Sequence, residues 1–167
     1  MKDSLGRDWQ MGTLQLDFQQ PLRFGLKYSA ANGGQKTPVA IHRVIYGSME
    51  RFIGILVEHF AGAFPTWLTP VQVKVLPITD KQLDYAVGVV KKLKEAGIRV
   101  ELDDRNERLQ AKIRDAQLEK VAYMFIVGDK EAESNKVAVR KRDGTDLGAL
   151  DLGSFINDLK KEIEKKS

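Results

Sequence analysis

The sequence predicts an α/β protein in two parts: antiparallel strands closed by one helix, then a mixed sheet with three helices on its faces. Three observations predict it. Apolar residues alternate at period two through Leu14, Leu16 and Phe18, then recur at helical spacing through Met49, Phe52, Ile53, Leu56 and Phe60. Pro65 and Pro70 interrupt the chain where no helix can continue and an extended crossing is favoured. Beyond Pro70 the apolar period switches repeatedly, as it does where strands and helices alternate.

Taken in order, Leu14 to Phe18 reads as a strand. The polar turn Asn32-Gly33-Gly34-Gln35 separates two more, over Phe24–Tyr28 and Val39–Ile45. Gly47-Ser48 stops the apolar run, and Ser48 is placed to cap a helix from Met49 to about Gly62. The segment Phe64–Pro70 is the boundary, which divides the chain into residues 1–68 and 69–167. Val71, Val73 and Val75 then alternate as a strand. Thr79 caps a helix carrying Leu83, Ala86, Val87, Val90 and Leu93 on one face, closed by Gly97. Ile98, Val100 and Leu102 form the next strand, and Arg108 to Leu118 the next helix, through Leu109, Ile113 and Ala116. Tyr123–Val127 is apolar enough for a central strand covered on both faces. Strands over Val137–Arg140 and Leu147–Leu150 flank the hairpin signal Asp143-Gly144, and Leu152, Phe155, Ile156, Leu159 and Ile163 line a last helix.

With 43% hydrophobic and 30% charged residues the chain reads as globular, and no apolar run approaches the roughly 20 residues of a membrane span. Met1-Lys2-Asp3-Ser4 has no apolar segment behind it to make a signal peptide, so the expected compartment is the cytoplasm. Zero cysteines exclude disulfides and thiolate metal sites within the chain. The net charge of +4 is divided evenly: residues 1–69 hold seven Lys/Arg and five Asp/Glu, and residues 70–167 hold twenty and eighteen. Overall charge is therefore weak evidence for an RNA partner. The local clusters Arg105, Arg108, Lys112, Arg114 and Arg140-Lys141-Arg142 carry more, although solvated charged faces also look like this.

Chemistry concentrates at the start of the helix after Ser48. Arg51 falls in its first turn, where a cation opposes the helix dipole. Such an arginine either accompanies a bound anion such as a phosphate or pairs with a carboxylate, here Glu50 or Glu58. His42, on an apolar strand, is either a packed residue or a metal ligand.

The run His42-Arg43-Val44-Ile45-Tyr46-Gly47-Ser48-Met49-Glu50-Arg51-Phe52 resembles motif 3 of class II aminoacyl-tRNA synthetases. Trp9-Gln10-Met11-Gly12-Thr13-Leu14-Gln15-Leu16-Asp17-Phe18 and Phe64-Pro65-Thr66-Trp67-Leu68-Thr69-Pro70-Val71-Gln72-Val73 narrow the resemblance to the threonyl enzymes, over almost the whole chain. It implies that residues 1–68 are the end of a class II antiparallel catalytic sheet with its motif 3 helix, and that residues 69–167 are an anticodon-binding domain. The parent reaction would be ATP-dependent activation of threonine, with Mg, followed by transfer to threonine tRNA.

Carried over residue by residue, the resemblance makes Arg51 the motif 3 arginine beside ATP, and sets Gln10, Thr13 and Ser48 along the nucleotide and threonine pocket. It makes His42 one of three zinc ligands. Zinc there would hold the hydroxyl of threonine and so reject valine. The other two ligands, together with motifs 1 and 2 and the homodimer contact, belong to sequence preceding Arg7 in the family. The expectation is therefore a carboxyl-terminal piece that binds little zinc and does not activate threonine alone. Asn106, Arg114, Lys120, Glu131 and Arg140 match anticodon-contacting positions. Asn and Glu read base edges, and arginine stacks, grips phosphate or makes paired hydrogen bonds. Lys120 stands where the family can carry arginine and lacks its planar fork. Two other readings are a non-catalytic synthetase-like RNA-binding protein, and a catalytic remnant whose exposed apolar surface pairs with another chain.

Overall fold

In the computed structural model, which describes residues 1–166, the chain divides into two units between Phe60 and Ala61. The first runs through β1 (Thr13–Asp17), the short helix α1 (Gln19–Arg23), β2 (Tyr28–Ser29), β3 (Gln35–Lys36), β4 (Ala40–Val44) and α2 (Met49–Phe60). β1 and β4 form an antiparallel ribbon in which Thr13 opposes Val44, Gln15 opposes His42 and Leu16 opposes Ile41. Side chains alternate across such a ribbon. Leu14, Leu16 and Ile41 therefore share one face, and Thr13, Gln15, Asp17 and His42 share the other.

Two expectations for this unit need correction. The strand over Phe24–Tyr28 does not form; only Tyr28 and Ser29 pair, with Lys36 and Gln35. The preceding residues turn into α1 because the Asp17 carboxylate accepts the N–H groups of Gln19 (2.8 Å) and Gln20 (3.0 Å), while Pro21 sits in the first turn, where its missing N–H costs nothing. α2 stops at Phe60 rather than Gly62, since Ala61 and Gly62 both take positive φ.

The second unit contains β5 (Val73–Pro77), a 3₁₀ turn at Asp80–Gln82, α3 (Leu83–Glu95), β6 (Val100–Leu102), α4 (Leu109–Leu118), β7 (Tyr123–Val127), α5 (Asp129–Ser134), β8 (Lys136–Lys141), β9 (Asp146–Asp151) and α6 (Leu152–Lys165). The strands make one mixed sheet in the order β6-β5-β7-β8-β9, parallel at β6-β5 and β5-β7 and antiparallel thereafter. Four helices accompany it rather than three. The additional one, α5, is short and starts where Glu131 folds back to accept the Gly128 N–H at 3.0 Å.

The central strands β5 and β7 read as continuous apolar runs because both faces are covered. One face packs Val73, Val75, Phe125, Val137 and Val139 against Ala86, Val89 and Leu93 of α3 and Leu152, Phe155 and Leu159 of α6. Phe155 meets Tyr123 and Phe125 edge-on, with ring centroids 5.3 Å away in each case. The other face packs Leu76 and Met124 against Ile113 and Ala116 of α4. The buried stripe of α3 is Ala86, Val89 and Leu93, whereas Val87, expected inside, is 51% exposed. A 3₁₀ turn at Asp80–Gln82 stands between Thr79 and the start of α3. α3 closes as its sequence predicts, with the Gly97 N–H on the Lys94 carbonyl and the Ile98 N–H on the Leu93 carbonyl.

The proline-containing segment is clasped to the second unit. Gln72, 1% exposed, donates to the Thr66 carbonyl and accepts the Arg99 N–H, and the Arg99 guanidinium donates to the carbonyls of Trp67, Thr69 and Pro70.

Candidate functional site

Around the ribbon of the first unit, two glycines draw the 9–13 segment against the 44–51 segment. A Cβ on Gly47 would lie 3.3 Å from the carbonyl oxygens of Gln10 and Met11, and one on Gly12 would lie 3.6 Å from that of Val44. Gly47 also takes φ +68°, so glycine is demanded twice over. This approach sets Gln10 beside the turn into α2, at whose start Ser48 and Arg51 stand, while Thr13 lies across the ribbon from Val44. Ser48 Oγ accepts the Arg51 N–H at 3.4 Å and donates to Glu50 at 2.6 Å, which lowers the Glu50 pKa. Among the described residues Arg51 makes no ion pair. Its guanidinium lies over the Trp9 ring, 5.4 Å from the centroid, so neither Glu50 nor Glu58 neutralises it.

Trp9 is itself held by a network that sequence reading missed. The Asp3 carboxylate accepts the Trp9 Nε1–H (2.9 Å), the Arg7 Nε–H (2.7 Å) and the N–H groups of Leu5 and Arg7. The Trp9 hydrogen bond, with the Arg7 bonds and charge added, lowers the Asp3 pKa to about 2. The available signal was an acid four residues before Arg7 and six before an indole donor, too common a spacing to single out.

His42 lies on the Thr13 face of the ribbon, with Nε2 3.1 Å from Asp17 Oδ2. That carboxylate, already bound by the Gln20 and Gln19 N–H groups, has a lowered pKa. No group of three His, Cys, Asp or Glu that could hold a metal ion occurs among the described residues. His42 and Asp17 supply two donors, fewer than the three protein ligands of a catalytic zinc site, so the residues present do not fit a zinc ion by themselves.

In the second unit the five proposed RNA contacts fall along the sheet from one edge toward the other. Asn106 follows the carboxyl end of β6, and Glu131 follows that of β7; the parallel pairing places both at one edge, where open α/β sheets present their ligand loops. Arg114 is exposed midway along α4, its guanidinium 3.7 Å from the Asp115 carboxylate. Lys120, at φ +60°, caps the far end of α4, and so lies at the amino edge of the sheet. Arg140 stands opposite Met124, on the face that α4 covers over β5 and β7. Its Nε is sealed from solvent with no hydrogen-bond acceptor, as is Nη1 of Arg142. A buried guanidinium donor left unpaired is costly, and an incoming acceptor relieves it. The structure thus groups Asn106 with Glu131 and sets Lys120 and Arg140 apart from them, spanned by a helix about 15 Å long.

Comparisons with known proteins match two stretches of the chain to two different family models. Residues 1–60 match the model for the tRNA synthetase class II core domain (G, H, P, S and T), and residues 72–162 match that for the anticodon binding domain. The threonine–tRNA ligase of Clostridium tetani is 62% identical over 166 residues, covering 99% of this chain and 26% of that protein. That of Caldanaerobacter subterraneus subsp. tengcongensis is 59% identical over 167 residues, again 26% of its length. The chain therefore spans about a quarter of the curated relatives it matches. Among solved structures, the RNA binding domain of threonyl-tRNA synthetase from Cryptosporidium parvum superposes with a TM-score of 0.84 at 39% identity, over 96% of this chain and 41% of that one. A prolyl-tRNA synthetase from the same organism gives 0.68 at 25% identity, over 94% and 34%. From end to end, then, the chain belongs to the threonine–tRNA ligase family of class II aminoacyl-tRNA synthetases and carries the sequence of its anticodon-binding domain.

Proposed function

We propose that residues 69–167 recognise the anticodon of threonine tRNA and that residues 1–68 contribute the motif 3 side of a site that activates threonine with ATP and Mg. The observation that carries this is identity near 60% to threonine–tRNA ligases along the whole chain, through both the core and the anticodon-binding segments. The unpaired Arg140 Nε supports the RNA half of the reading, and the Arg51 guanidinium, free of any carboxylate partner among the described residues, supports the ATP half. In this reading Asn106 and Glu131 read bases from the carboxyl edge of the sheet. Arg114, Lys120 and Arg140 hold the strand along α4 and toward the other edge. Gln10, Thr13 and Ser48 line the nucleotide and amino-acid pocket. The parent enzyme acts as a cytoplasmic homodimer. No described helix is long and apolar enough to cross a membrane.

The test is a titration of this chain with a labelled threonine-tRNA anticodon stem-loop, and with the same loop altered at its second and third anticodon bases, at two salt concentrations. Preference for the unaltered loop at both salts is expected. Equal affinities with strong salt dependence would reduce the interaction to generic phosphate attraction and remove the anticodon assignment.

A further inference from the structure

Beneath the loop that presents Asn106 lies a buried lysine that the sequence grouped with a basic cluster and that the fold removes from the surface. Lys112 sits on α4 with only 4% of its surface exposed. Its Nζ donates to the carbonyl of Pro77, at the carboxyl end of β5, and to that of Asp103, just beyond the end of β6, at 3.1 Å in each case. One ammonium thus joins the ends of two parallel strands to the helix that follows the loop. A lysine is buried this deeply only when its charge is answered, and here backbone carbonyls answer it at the point where the strands stop supplying donors.

The same carbonyl-bearing residue fixes the loop from its other side. Asp103, 4% exposed, accepts Nε–H (2.8 Å) and Nη2–H (2.7 Å) of Arg105 in a two-pronged pair, and Arg105 Nη1 reaches the Asp115 carboxylate on α4 at 3.0 Å. The Asp103 N–H continues the ladder onto the Val75 carbonyl, and the Glu107 N–H closes on the Arg105 carbonyl. The 103–108 segment therefore hangs between two ties to α4, Lys112 inside and Arg105 at the surface, with Asn106 exposed between them.

We infer that Lys112 is a positioning residue for anticodon recognition, holding the Asn106 loop in the geometry that reads a base. This rests on the anticodon reading above. A surface loop that must place one amide for paired hydrogen bonds gains from being ordered beforehand, because binding then spends less on fixing it. Lys112 and Arg105 supply that order without touching the RNA.

The test titrates wild-type chain, N106A, K112M, R105Q and N106A/K112M against the unaltered stem-loop and against loops changed at one anticodon base at a time. N106A is expected to erase the preference at one base. K112M and R105Q are expected to lower the preference at that same base about tenfold, with an unchanged salt slope and unchanged affinity for the loop already altered there. The double variant is expected to discriminate no worse than N106A. A uniform loss over all loops, a loss additive with N106A, or full preference in both K112M and R105Q would overturn the inference and leave the anticodon reading standing. Wild-type discrimination that survives N106A also overturns it. Absence of any preference in the wild type sinks the anticodon reading and this inference with it. Should K112M fail to fold, R105Q decides alone, because the Arg105 side chain is 49% exposed and the Asp103 carboxylate keeps the Arg105 backbone N–H.

Discussion

Arg140 and Arg51 have one property in common: among the described residues neither guanidinium makes an ion pair. Arg140 keeps a donor sealed against the sheet, and Arg51 rests on an indole face. Replacing Arg140 by alanine is expected to weaken the anticodon stem-loop complex by about 1–3 kcal/mol, read in the same titration, and unchanged affinity would remove Arg140 from the surface. Asp3 gives a second prediction at this scale. Its pKa falls from 3.8 to about 2 through the Trp9 and Arg7 bonds, so the carboxylate stabilises the folded first unit above about pH 4, and the contribution is lost as pH falls toward 2. Trp9 fluorescence, followed in a W67F background, should change over that interval, and D3N should abolish the step by removing the charge at every pH. A step that persists in D3N would assign it to another group. His42 and Arg51 were visible in the sequence because a motif surrounds them, whereas Asp3 and Lys112 were not, since their roles come from backbone and side-chain partners that only folding brings near.

Elements were legible where one face is buried and illegible where local hydrogen bonds override the pattern. Helix α6 follows its apolar stripe through Leu152, Phe155 and Leu159 because nothing competes with the packing. The Asp17 side chain, by contrast, captures the next turn and makes a helix at Gln19–Arg23, for which the apolar pattern gives no signal, and Val87, apolar and at helical spacing, faces outward from α3. The β8–β9 connection shows a sequence signal refined by geometry. Asp143-Gly144 does mark the hairpin, yet the connection between the strands holds four residues, Arg142 to Thr145. The Lys141 carbonyl accepts the Gly144 N–H at 3.0 Å, and the Thr145 carbonyl accepts the Lys141 N–H at 2.9 Å. Gly144 closes it at φ +92°, a conformation that alanine resists. G144A is therefore expected to destabilise the second unit by about 1–2 kcal/mol in urea denaturation. A stability equal to wild type would mean that the hairpin relaxes to another loop at no cost.

At the scale of the whole chain, the two units differ in how much apolar surface they hide. In the second unit, covered strands and three long helices bury a continuous core on both sheet faces. In the first, Ile55 and Pro21 are the only buried apolar side chains among the described residues, while Leu14, Leu16 and Ile41 line an open ribbon face at 68%, 55% and 64% exposure. A two-stranded ribbon in water is marginal without a third strand or a covering layer. Burial at roughly 25 cal/mol per Å² stabilises only what is removed from water, so the first unit forgoes most of the contribution its own leucines and isoleucines could make. Native-state hydrogen exchange should therefore separate them. Amides of β5 and β7 are expected to exchange only through global opening of the second unit, and those of β1 and β4 through local opening at a far smaller free energy. Urea should dissolve the first unit well before the second, leaving the anticodon stem-loop affinity unchanged at concentrations where the ribbon amides have lost protection. Equal protection in β1 and β5 would show that the open apolar face is covered in solution; stem-loop affinity lost together with the ribbon would show that RNA binding needs the first unit.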